Sequence, residues 1–85
     1  MDMQTMEKKI NELMTENNIT AEWVDYKEKL KMVALEIKWG DWKHDHARMD
    51  WLMTENFPNL RSIHTATTEE NESDCYSAIH YYYFN

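Results

Sequence analysis

Val33-Ala34-Leu35-Glu36-Ile37-Lys38-Trp39 repeats with a period of two. That period places Val33, Leu35, Ile37 and Trp39 on one face of a β-strand and Ala34, Glu36 and Lys38 on the other, so one face is buried. A lone strand leaves its backbone N–H and C=O groups unpaired and needs neighbours. The nearest is the segment 21–30, where Trp23, Val24 and Tyr26 are β-prone and predict a hairpin partner. A helical stripe of Trp23, Tyr26 and Leu30 is the competing reading of that segment.

Upstream, Met3, Met6, Ile10, Leu13 and Met14 recur at spacings of three and four, opposite Glu7, Lys8, Lys9, Glu12 and Glu16. This predicts a helix over 3–16, stopped by Asn17-Asn18 because asparagine tolerates the left-handed conformation of a helix end. Downstream, Gly40-Asp41 breaks the chain and Asp41 is placed as an N-cap for a second helix from Trp42 to about Asn56, shut off by Pro58. Its inward stripe is read as Trp42, His46, Met49, Leu52 and Met53, with Lys43, Asp45, Arg48, Asp50 and Glu55 mainly outside. Both helices end in the same five residues, Leu-Met-Thr-Glu-Asn, at 13–17 and 52–56. Either a duplicated unit or a recurring helix ending explains the repeat.

Leu60 to Thr67 and Cys75 to Phe84, rich in β-branched and aromatic residues, flank an acidic stretch and predict a second hairpin. The order α-β-β-α-β-β implies an α+β fold, with two helices packed on a small, mostly antiparallel sheet. A chain of 85 residues with one glycine and one proline is read as a single domain over 1–85 with little linker.

Composition narrows the function. A formal net charge of −7 disfavours nonspecific attraction to nucleic acid phosphates. Residues 1–40 carry eight acids and six bases (net −2), and residues 41–85 carry eight acids and three bases (net −5). The lone Cys75 forms no internal disulfide, Met1-Asp2-Met3-Gln4 lacks the basic start of a secretory signal, and no run of apolar residues is long enough for a membrane span. A soluble, cytoplasmic protein is the expectation.

Trp39-Gly40-Asp41-Trp42-Lys43-His44-Asp45-His46 invites a metal test. His44 and His46 point about 200° apart on a helix and do not share an ion, whereas His46 and Asp50 are one turn apart. A site would still need His64, His80 or Cys75 from the sheet. The simpler expectation is a solvated His44, a His46 packed under the sheet with one nitrogen bonded, and Asp41 and Asp45 at the positive helix end. A thiol enzyme built on Cys75 with His64, His80 or His46 as base lacks a glycine-rich oxyanion turn. No catalytic residue, metal or cofactor is therefore assigned, and the chain is read as a non-enzyme.

Tyr76, Ile79, Tyr81, Tyr82, Tyr83 and Phe84 give the last strand aromatics on both faces. Base-stacking sheets carry Lys and Arg beside such aromatics, and residues 62–85 contain neither. A protein contact suits this surface better, because tyrosine is an efficient interface anchor. Glu69, Glu70, Glu72 and Asp74, with Asp45, would steer a basic partner, and Tyr81, Tyr82 and Tyr83 would anchor it.

The stretch Trp39 to His46, together with Ser73-Asp74-Cys75-Tyr76-Ser77-Ala78-Ile79-His80-Tyr81, resembles short proteins of bacterial phages and prophages. In size, acidity and glycine poverty the chain also resembles anti-CRISPR proteins and other phage inhibitors that bind host nucleases. The resemblance implies an inhibitor that presents carboxylates where a nuclease expects phosphates. The expected partner is a basic surface of a host protein such as a CRISPR effector nuclease, without direct nucleic-acid or membrane contact. A metal- or thiol-dependent enzyme and a homodimer assembled through the tyrosine strand are the alternatives.

Overall fold

Asp2 opens the first helix: its carboxylate accepts from the Thr5 N–H at 2.8 Å, satisfying one of the backbone donors that a helix start leaves free. That hydrogen bond also holds the Asp2 carboxyl below its ordinary value. A computed structural model describes residues 2–38, 44–68 and 77–85. In it α1 runs Met3–Glu16 and buries Met6, Ile10 and Met14. It ends as predicted. Asn18 takes φ 55°, and Ile19 N–H returns to the Met14 carbonyl at 2.9 Å while Asn18 N–H returns to Thr15 at 3.3 Å. This is the Schellman pattern, with asparagine in the left-handed position and Ile19 buried beside Met14.

The second helix, α2, runs His44–Asn56. Its repeated ending has a physical meaning. Asn17 Nδ2 donates to the Leu13 carbonyl at 2.7 Å, and Asn56 Nδ2 donates to the Leu52 carbonyl at 2.8 Å, so the same words encode the same cap. The Lys9 ammonium donates to the Asn56 carbonyl at 2.8 Å and sits 5.1 Å over the Phe57 ring, placing a cation from α1 at the negative end of α2. Trp42, Lys43, Gly40 and the Asp41 cap lie outside the described residues.

Four strands follow the predicted order: β1 Trp23–Lys27, β2 Met32–Lys38, β3 Leu60–Thr68 and β4 Ser77–Phe84. The segment 21–30 is a strand only over its middle. A short 3-10 turn, Glu28–Leu30, and Lys31 at φ 50° turn the chain into β2. All three pairings are antiparallel, and the sheet order is β1-β2-β4-β3. β4 therefore lies inside the sheet, hydrogen-bonded on both sides, and offers no edge for a tyrosine-strand homodimer.

The helices cover one face. Val33, Leu35, Ile37, Tyr82 and Phe84 from the sheet pack with Met6, Ile10, Met14, Met49, Leu52, Met53 and Phe57 in one buried cluster. The fold is α+β, as the sequence implies. Tyr26 lies at the margin of this cluster with its hydroxyl shielded and without a hydrogen-bond partner among the described residues. Burial, and then the Glu7 charge, push that hydroxyl up to about 12. A hydroxyl harder to ionise when folded supports the fold fully below its ordinary value of 10.0, and this support falls as pH rises towards 12. Tyr26→Phe is expected to reduce alkaline destabilisation while leaving neutral stability unchanged or raised by up to about 1 kcal/mol. Urea melts near pH 7 and about pH 11 check this, and a clear loss of stability at neutral pH would contradict it.

Candidate functional site

Sheet alternation creates two different faces. In β4 the even residues Ala78, His80, Tyr82 and Phe84 are buried towards the helices, whereas Ile79, Tyr81 and Tyr83 are half-buried on the face that neither helix covers. Register extends that open face across all four strands. One row runs Trp23, Glu36, Ile79, Ala66; the next Asp25, Ala34, Tyr81, His64; the third Lys27, Met32, Tyr83, Ser62. Trp23 is 39% exposed and its indole N–H donates to Glu36 Oε1 at 3.0 Å, which orients the ring. The His64 ring lies 5.9 Å from the Tyr81 ring. Lys27 pairs with Asp25 at 3.1 Å.

Tyr82 leaves the set of anchors expected from the sequence. It is 0% exposed, and its hydroxyl donates to Asp50 Oδ1 at 2.8 Å, so it has no surface to give a partner. Tyr81 and Tyr83 stay accessible. The side chain of Asp45 and the residues Glu69, Glu70, Glu72 and Asp74 lie outside the described residues, as do Cys75, Tyr76 and the side chain of His44.

Beneath the sheet lies a polar cluster that joins α2 to β4. His46 and Asp50 are one helical turn apart and project onto His80 and Tyr82, two apart on β4 and therefore on one face. His46 Nδ1 lies 2.8 Å from His80 Nε2, and His80 Nδ1 lies 3.0 Å from Asp50 Oδ1. The two imidazoles stack with centroids 5.0 Å apart. A carboxylate only accepts, so His80 Nδ1 carries the hydrogen, and one further hydrogen lies between His80 Nε2 and His46 Nδ1. Burial first, then the Asp50 charge and hydrogen bond, push the Tyr82 hydroxyl far above its ordinary value, so it remains a donor.

This cluster corrects one expectation and supports another. Asp50, read as mainly outside, is a third exposed and turned to the sheet, where its two partners offset the cost of desolvating it. His46 packs under the sheet with a bonded nitrogen, as expected. An Asp-His pair can orient a general base, but here the second nitrogen of His80 meets His46 rather than a cleft. His64 sits on the opposite face from His46 and His80, so the sheet does not bring these three histidines around one ion. Among the described residues no group of three or more His, Cys, Asp or Glu is arranged to hold a metal. A cleft of about 320 Å³ near the start of α1 is lined by Asp2, Glu28, Lys31 and Phe84 among others, and none of the cluster residues borders it.

Sequence reasoning missed Trp23 and His64 as companions of Tyr81 on the open face, and it set His46, Asp50 and His80 together only as a metal option, missing the hydrogen bond of His80 to Asp50. The i, i+4 spacing of 46 and 50 and the i, i+2 spacing of 80 and 82 were the available signals. No helix among the described residues is long and apolar enough to cross a membrane. No protein-family model, curated protein or solved structure matches the chain at significant similarity.

Proposed function

We propose that the protein is a non-enzymatic binding module that inhibits a nucleic-acid-binding host protein, of the kind a CRISPR effector nuclease represents, by docking on its basic surface. The observation that carries this reading is the sheet face that neither described helix covers, with Tyr81 and Tyr83 on the inner strand β4 and Trp23 on the edge strand β1. Aromatics on a rigid sheet anchor a protein contact at low entropic cost. Lys27 on that face is paired with Asp25, and residues 62–85 contain no Lys or Arg, so β4 and β3 from Ser62 onward offer none of the phosphate contacts that base-stacking sheets use. The net charge of −7 favours a basic partner over long range. Glu69, Glu70, Glu72 and Asp74 remain the residues proposed to steer it.

Affinity capture from a bacterial lysate tests the reading. A nucleic-acid-binding protein is expected to be retained at about 0.1 M salt and released at about 1 M, where the screening length shrinks from about 10 to about 3 Å. Heparin, which competes for phosphate-binding surfaces, is expected to release it too. Partners retained equally at high salt and in heparin would contradict the proposal, as would an empty capture.

A further inference from the structure

The two edges of the sheet are unlike. β1 is five residues long and carries Asp25 and Lys27, charges of the kind that discourage a strand from pairing with a stranger. β3 is nine residues long. A bulge between Leu60 and Ser62, beside Arg61, guards only its first residues. From Ser62 to Thr68 it has no Lys, Arg, Asp, Glu or Pro, and Ser62, His64, Thr65 and Thr67 are exposed. One edge of the strand's backbone is taken by β4, and no strand among the described residues pairs with the other.

We infer that this outer edge of β3 pairs antiparallel with β3 of a second copy of the chain, making one continuous eight-stranded sheet. The strand is complementary to itself. A twofold axis at Thr65 sets His64 against Ala66, Ile63 against Thr67 and Ser62 against Thr68, so that each large side chain meets a smaller one and no charge meets its like. Charge selects the second copy over a charged peptide, since an uncharged strand gains nothing from either sign. Two chains that each carry −7 also repel least where they meet through an uncharged stretch.

Antiparallel pairing of identical edges puts the axis normal to the sheet. Both helical layers then lie on one side and both open faces on the other, with the two Tyr81 residues about 16 Å apart, three strand spacings across and two residues along. The pairing does not depend on the proposed function, and the two respond oppositely to salt. Salt screens the repulsion and strengthens the dimer, while it weakens contact with a basic partner.

Sedimentation velocity on the full chain, from about 1 to about 500 µM, is expected to show mass doubling with concentration, shifted to lower concentration by salt. Hydrogen exchange on the same samples is expected to show the outward amides of β3 protected as the dimer forms, with those of β1 still fast. Thr65→Lys, which sets two ammonium groups against each other at the axis, is expected to weaken the dimer about tenfold or more while circular dichroism stays unchanged. A single-copy mass throughout, a dimer whose β3 amides exchange as fast as those of β1, or a dimer unmoved by folded Thr65→Lys would overturn the inference. Should that variant unfold, exchange on the unaltered chain still decides.

Discussion

His80→Ala is expected to lower the melting temperature by about 12–24 °C, from a loss of about 3 kcal/mol in a domain of this size. His80 is 1% exposed and holds both His46 and Asp50. Truncation leaves a cavity, removes the hydrogen-bond partner of His46 Nδ1 and takes away one of the two described donors to Asp50, and each of these costs free energy. The cost is cooperative. Replacing both rings by apolar ones, His46→Leu with His80→Phe, removes donor and acceptor together, so the pair is expected to lose clearly less than the sum of the single losses. Thermal melts of the single and double variants check this, and strict additivity would show that the His46–His80 contact contributes nothing of its own.

The second large effect concerns binding. Trp23→Ala and Tyr81→Ala are each expected to weaken retention of the captured partner by about 30-fold, corresponding to about 2 kcal/mol for an aromatic anchor. Trp23 is partly exposed and bonded only at the rim of the sheet, so its loss is felt in the contact more than in the fold. Trp51 supplies the comparison: it is 60% exposed on α2, on the helical side, and Trp51→Ala is expected to leave retention unchanged. Quantitative capture against a dilution series measures all three. Equal losses at Trp51 and Tyr81 would move the contact to the helices.

The architecture could be read ahead of the structure where local chemistry decides it. Asn17-Asn18 ends α1 because Asn18 alone among its neighbours must take a positive φ, and the alternation around Leu35 sets which side of β2 is buried. The sheet order could not be read, because alternation fixes which face a residue points to and says nothing of which strand lies beside it. β4 slots between β2 and β3, so a dimer cannot pair through the edge of the tyrosine strand, and β1 and β3 form the sheet's edges.

The site was half legible for a related reason. Tyr81, Tyr82 and Tyr83 look alike in sequence, and only the phase shared with Ala78, His80 and Phe84 shows that Tyr82 points inward. Asp50 looked like a solvated charge because its two partners lie thirty and thirty-two residues away on β4, beyond the reach of helical periodicity. The open face was hidden similarly: Trp23, Tyr81 and His64 become neighbours only through the pairings of β1 with β2 and of β3 with β4.

The central claim is that the uncovered sheet face is the partner-binding surface, and site-specific photocrosslinking in bacterial cells tests it most directly. A photoreactive phenylalanine placed at Tyr81 is expected to form one dominant adduct with a nucleic-acid-binding protein, and the same group at Trp51 is expected to form none. Adducts from Trp51 with none from Tyr81, or none from either position, would contradict the account.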